Sequence, residues 1–209
     1  MNSEVKKYYK YRPLRQGVAP HPFTASIFEK RELWYAAPKD FNDPYDCNLK
    51  LHARDSTDKE WMQYIDARII EYPPDSKSLK KIKKDKTWKT KPELGEFFGN
   101  NTLALNREKS SMLCLSKKPN SIPMFSHYAD RHRGIAIEFS FSDQNVPCGG
   151  KYSAIVCGDV EYVDSFPELN YHRLYGKSIL VKNLLFKKHI DWTHETEYTA
   201  IPQEGIIEM

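Results

Sequence analysis

Two short stretches hold most of the side chains able to do chemistry. Ser126, His127, Tyr128, Asp130 and His132 crowd together near the middle of the chain, and Glu195 and Glu197 stand two apart near its end. On a strand, side chains at that spacing share one face, so two carboxylates would sit side by side. Like charges so placed repel unless a cation or ligand is shared or one pKa rises. Such a pair is a catalytic device: one carboxylate stabilises a developing cation while the other orients or deprotonates a nucleophile. The plainer alternative is an exposed polar strand face. His127, Asp130 and His132 carry donors that suit a divalent ion, but the two histidines are five apart and do not share a helix face cleanly; no metal is expected.

Two further stretches offer positive charge. Tyr9-Lys10-Tyr11-Arg12 alternates ring and cation, so on a strand Lys10 and Arg12 share one face and Tyr9 and Tyr11 the other. An arginine there suits a phosphate, which it grips through paired donors. Residues 75–92 are lysine-rich, with Lys80, Lys81, Lys83 and Lys84 clustered and Trp88 interleaved. Clustered lysines attract a phosphate backbone and an aromatic ring can stack a base, so contact with nucleic acid is one reading. A solvated face is the other.

These groups must be positioned by the elements between them. Strands are expected at Tyr8–Leu14, Glu32–Ala36, Met112–Ser116, Ala154–Val156, Val160–Val163 and Glu197–Ile201. The clean alternation of Ile135–Phe141 makes another, with Glu138 facing solvent. Helices are expected at Phe23–Lys30, at Glu93–Leu105 and between Tyr171 and Lys188. A further helix opens on the capping box Thr57-Asp58-Lys59-Glu60 and ends at Pro73-Pro74. Phe41-Asn42-Asp43-Pro44 reads as a turn. Helices come early and strands late, which favours α+β, with a mixed or antiparallel central sheet flanked by helices. The 209 residues suit one domain, with residues 75–92 as an exposed insertion.

Composition narrows the classes. The chain is 40% apolar and 13% aromatic, enough for a packed core, and its net charge of +4 permits an anionic ligand. It has no apolar run long enough for a bilayer and no signal-peptide core at its start. Cys47, Cys114, Cys148 and Cys157 are scattered and form no metal or disulfide pattern, so four reduced thiols in a cytoplasmic protein are expected. No phosphate loop, zinc-finger spacing or nucleophile elbow is present.

In order along the chain, Tyr9-Lys10-Tyr11-Arg12, Glu32-Leu33-Trp34, Phe41-Asn42-Asp43-Pro44-Tyr45-Asp46, Cys114-Leu115-Ser116, Met124 to Asp130, His132-Arg133-Gly134, Lys188, Trp192 and Glu195-x-Glu197 resemble a prokaryotic family known only as domain of unknown function 2971. Two positions depart from its pattern: Phe125 replaces a usual Trp, and Thr199 stands where an Arg usually follows the second Glu. The layout is more distantly similar to the ADP-ribosyltransferase fold. That likeness implies a first strand bearing Arg12, then a helix and a short strand, and a catalytic Glu195 or Glu197 on a late strand. It implies NAD as substrate, with Arg12, Lys10 and Tyr11 near the pyrophosphate and Tyr128 stacked on nicotinamide. Ser126 and His127 would then contact the ribose or the acceptor.

The implied activity is ADP-ribosyl transfer or NAD glycohydrolysis, in the manner of a toxin or phage-defence effector. The alternatives are a metal-dependent nuclease or phosphoesterase built on Asp43, Asp46, His127, Asp130 and His132, and a non-enzymatic module that binds a nucleotide or a protein. All three readings require Arg12, His127, Tyr128 and Glu195 or Glu197 to converge on one pocket.

Overall fold

The period-two runs of the sequence become one antiparallel sheet. The computed structural model describes residues 5–43, 45–47, 49–71, 73–141, 154–175, 183–202 and 207–208. Its sheet strands are β1 (Lys6–Arg12), β2 (Leu113–Ser116), β3 (Ile135–Phe141), β4 (Ala154–Asp159) and β5 (Glu197–Pro202). They lie in the order β3-β1-β2-β5-β4, with every neighbouring pair antiparallel. With its helices, this makes the fold α+β.

Register decides which side chains meet. β1 pairs with β3 along seven residues, from Lys6↔Phe141 to Arg12↔Ile135. β1 and β2 meet in register at Tyr9↔Ser116, and β2 continues to β5 from Ser116↔Glu197 to Leu113↔Ala200. Directly opposed residues project to the same face, so Glu138, Tyr9, Ser116 and Glu197 form one row across four strands. The other face carries Tyr8, Leu113, Leu115 and Ala200, which pack with Ile27, Leu33 and Tyr35. Each large side chain buried there contributes roughly 1.5–3 kcal/mol. Glu138 is exposed, as alternation requires, and pairs with Lys7 at 2.8 Å.

Two helices border this sheet's residues. α1 (Pro22–Glu29) starts on a proline, whose missing N–H costs nothing at a helix start, and supplies Ile27. Of the strand expected over Glu32–Ala36, Glu32–Leu33 forms, and Ala36 bridges Met112. The later helix, Ile122–Tyr128, also starts beside a proline and lays Met124 and Phe125 against Tyr11. It ends in three successive left-handed residues, Asp130, Arg131 and His132 (φ 48°, 53° and 68°). Gly134 then returns the chain to the sheet, with its N–H donating to the Ala129 carbonyl at 2.8 Å.

The chain forms two compact units. One comprises Met1–Asp46, Glu108–Asp164 and Phe186–Met209; the other comprises Cys47–Arg107 and Ser165–Leu185. The second unit is mainly helical, with helices at Asp58–Glu71, Ser76–Asp85 and Leu94–Lys109. The capping box forms: the Thr57 N–H donates to Glu60 at 2.7 Å, and the Glu60 N–H donates to the Thr57 hydroxyl at 3.2 Å. The lysine-rich stretch is helical and anchored by buried Leu79 and Trp88. Lys83 pairs with Asp66, while Lys80, Lys81 and Lys84 are exposed. Trp88 stacks on Trp61 at 5.4 Å and donates to Asp58, so its ring is committed to the core and offers no platform for a base.

Two expectations are corrected. Cys157 is disulfide-bonded, so the four thiols are not all reduced; Cys114 is free. The helix expected between Tyr171 and Lys188 is short, Tyr171–Leu174, and Lys187–His189 is instead a strand paired in parallel with Glu161–Val163. Residues 176–182 of that expected helix, Pro44 of the expected turn and Cys148 lie outside the described residues. No helix among the described residues is long and apolar enough to cross a membrane.

Candidate active site

Glu195 and Glu197 approach one another by a turn and a shared cation. Glu195 does not lie on the last strand: it ends the 3-10 helix Ile190–Glu195. Thr196 follows in the left-handed region (φ 44°), and Glu197 begins β5. Both carboxylates are buried, 2% and 5% exposed, which excludes an exposed strand face. Between them stands Lys188, whose Nζ donates to Glu195 Oε2 at 2.7 Å and to Glu197 Oε2 at 2.6 Å. Asp46 lies 3.4 Å from the same ammonium.

The remaining carboxylate oxygens are held as well. The Tyr128 hydroxyl donates to Glu195 Oε1 and is 3.1 Å from Asn42 Oδ1. Thr199, fully buried, donates to Glu197 Oε1 at 2.5 Å. The Ser116 hydroxyl donates to the Glu195 carbonyl at 2.6 Å, which ties β2 to the turn. Tyr162 accepts the Glu197 N–H at 2.9 Å.

This environment drives the carboxyl groups apart. Burial raises the Glu195 pKa against the attraction of Lys188, with the charge of Glu197 adding to the rise. Burial also opposes ionisation of Glu197, but Lys188 and hydrogen bonds from Cys114 and Thr199 outweigh it and hold Glu197 at about 2. Burial, and then the neighbouring carboxylates, raise Asp46 to about 7 although Lys188 opposes the rise. Burial lowers Lys188, but the three carboxylates more than reverse this and keep it a cation. A set of carboxyl groups with separated pKa values is a mark of acid–base sites.

These groups line a cavity of about 350 Å³ together with Tyr9, Lys10, Tyr11, Arg12 and His127. It lies in the first unit, where β1 and β2 diverge beyond Tyr9↔Ser116. There the Lys10 ammonium donates to the Cys114 carbonyl at 2.8 Å. Burial lowers the pKa of Lys10. Arg12 Nε and Nη2 are buried without hydrogen-bond partners, and its guanidinium carbon lies 5.8 Å from the centroid of the Phe23 ring.

No protein family, curated protein or solved structure matches the chain.

Of the residues singled out from sequence, Arg12, Lys10, Tyr11, His127, Tyr128, Glu195 and Glu197 meet at this cavity. Ser126 does not: it is exposed on the Ile122–Tyr128 helix, outside the lining, because that helix turns its neighbours Met124 and Phe125 inward. His132 is exposed, and Asp130 pairs with Arg133 at 2.8 Å. Among the described residues no group of three His, Cys, Asp or Glu side chains is placed to hold a metal ion. Lys188 and Thr199 came from motif likeness alone, and no period in the sequence marks either as buried. Asp46 enters the sequence reading as a metal ligand and as the end of the motif Phe41-Asn42-Asp43-Pro44-Tyr45-Asp46, not as part of the carboxylate pair.

Asp46 gives a test of these electrostatics. Its carboxyl is protonated in the fold and ionised in the unfolded chain between the usual carboxylate range and about 7. The stability it supports therefore falls as pH rises through that window. Between roughly pH 4 and 7, the melting temperature of Asp46→Asn should fall less than that of wild type. Parallel curves would show that Asp46 titrates normally. Glu197 acts in the opposite sense, its contribution being lost as pH falls toward about 2.

Proposed function

We propose that this chain is an NAD-consuming enzyme that cleaves the nicotinamide–ribose bond, by ADP-ribosyl transfer or by hydrolysis. The observation that carries this is the sharing of one cavity by a buried, committed pair of carboxylates and an arginine with uncommitted donors. Cleavage sends the bonding electrons to the pyridinium nitrogen, so nicotinamide leaves neutral and positive charge grows on the ribose. Glu197, held ionised, stabilises that charge without reorganising, and in a water-poor site the effect is large. Arg12 supplies two donors for the pyrophosphate. By strand geometry, Arg12 stands roughly 10 Å along β1 from the Tyr9 row and Glu197 roughly 10 Å across it. The cavity is at the lower end of the ~300–1,000 Å³ usual for small-molecule sites, which suits one half of a dinucleotide.

The resemblance to domain of unknown function 2971, and the ADP-ribosyltransferase-like order of Arg12, helix, short strand and late glutamate, support the same reading as motif likeness and fold analogy. Thr199, in the place of that family's usual arginine, pairs with Glu197. Within this reading Tyr128 positions Glu195, and a stacking role on nicotinamide is left to the part of its ring that faces the cavity. The exposed lysines Lys80, Lys81 and Lys84 are a proposed contact for nucleic acid, as activator or acceptor, in a cytoplasmic setting.

The test is nicotinamide release from NAD by the purified chain, with and without DNA, RNA and cell lysate. Glu195→Gln with Glu197→Gln should lower kcat by on the order of 10²–10³, the cost of removing a principal transition-state electrostatic partner. It is measured on protein whose fold is verified by circular dichroism, because the variant leaves Lys188 buried without its two close carboxylates. Release that survives in the double variant would place the chemistry elsewhere.

A further inference from the structure

Besides exposed Asp40, three buried carboxyl groups line the cavity, and the roles of two are set by what binds them. Glu195 is held by Lys188 and Tyr128, and Glu197 by Lys188 and Thr199. Asp46 differs. It is 3% exposed and lines the cavity, yet its Oδ2 receives no hydrogen bond. Its closest cation, Lys188, is 3.4 Å away and engaged with both glutamates at shorter range. The chain turns sharply around it: its own N–H donates to the Asp43 carbonyl at 3.2 Å, and Cys47 follows with φ 57°. A general base needs a lone pair free to receive a proton, a fixed position and access to the reacting atom.

We propose that Asp46 is the general base of this site, taking the proton of the water or acceptor group that attacks the ribose. The role rests on the NAD-cleaving reading above. The step balances: the ribose–nitrogen bond breaks and its electrons leave with neutral nicotinamide, while the attacking oxygen forms the new bond to the ribose carbon. Its proton passes to Asp46 Oδ2 and thence to solvent. Hydrolysis therefore yields nicotinamide, ADP-ribose and one proton.

The charged groups facing Asp46 are Lys188, Glu197, Asp43 and Glu195. One cation among four carboxyl groups lets a proton reside on Asp46 near neutrality, and its pKa of about 7 agrees with that. Turnover should therefore rise with pH through that region as Asp46 ionises.

The experiment compares nicotinamide release by wild type and Asp46→Ala between pH 5.5 and 8.5, with and without sodium azide. Azide attacks as an anion and has no proton to lose, so it bypasses the base. The expected result is a loss of about 10²–10⁴-fold in kcat and a flat pH profile. NAD binding should be unaltered, and azide should restore release with formation of an ADP-ribosyl azide seen by mass spectrometry. Wild-type turnover in the variant overturns the role, as does loss without azide rescue in a variant that still binds NAD. No release by wild type overturns the NAD reading and the role with it. Asp46→Asn, nearly isosteric, provides the same comparison if the alanine variant melts early.

Discussion

Lys188→Met should destabilise the first unit by about 3–5 kcal/mol at pH 7, the usual cost of breaking a buried ion pair by removing one partner. The methionine fills a similar volume, so the loss is electrostatic. Without the ammonium, Glu195, Glu197 and Asp46 face one another in a buried site at close range. They respond by binding protons: their pKa values rise, the fold takes up more protons than the unfolded chain, and stability recovers as pH falls. Denaturant unfolding at pH 7 and pH 5 should show the deficit shrinking at the lower pH. Combining Lys188→Met with Glu195→Gln and Glu197→Gln should restore much of it at pH 7, since neutral groups no longer need a cation. An unchanged midpoint in the single variant would mean that water, not Lys188, solvates the carboxylates.

Gly134→Ala should be nearly as costly, for a steric reason. A Cβ at Gly134 would stand 2.3 Å from the Arg12 carbonyl oxygen and 2.8 Å from the Ala129 Cα. Both are backbone atoms, so no side chain can rotate away. Either the Arg12 end of β1 or the turn after the Ile122–Tyr128 helix must shift. Overpacking of this kind costs typically 1–3 kcal/mol and sometimes more, and about 3 kcal/mol is expected here. The same shift moves Arg12 and Tyr128, which enter the cavity from these two segments, so the NAD binding proposed above should weaken as well. A variant of wild-type stability would show that the segment relaxes freely.

The sequence makes the sheet legible where one face is buried. Ile135–Phe141 forms one strand, and from Ile137 onward exposure alternates as the pattern predicts, with Glu138 and Ser140 exposed and Ile137, Phe139 and Phe141 part-buried; Ile135 and Ala136 are both part-buried. The capping box at Thr57 is legible for a similar reason, because its signal is local. The site is legible as a set of residues and illegible as geometry. Glu195 and Glu197 have strand spacing, but a 3-10 helix and the left-handed Thr196 bring them together. Nothing in residue order announces a 3-10 turn before a strand. Lys188 looks like the end of an amphipathic helix until pairing with Glu161–Val163 claims it as a strand. The lysine-rich stretch hides buried Leu79 and Trp88 because two apolar side chains within a run of charges make a weak periodic signal. Each miss is a case of tertiary contact overriding local pattern.

The meeting of β1 and β2 at Tyr9↔Ser116 has a mechanical consequence. β3–β1 forms one panel of the sheet and β2–β5–β4 another, joined along a short seam that the Lys10 side chain helps to close. Arg12 belongs to the first panel, and Glu197 to the second. On the proposed function, a dinucleotide gripped by both would act as a rivet across the seam. Its binding should slow amide exchange in β1 and β2 together, with the β1–β3 ladder, already paired along its length, changing least.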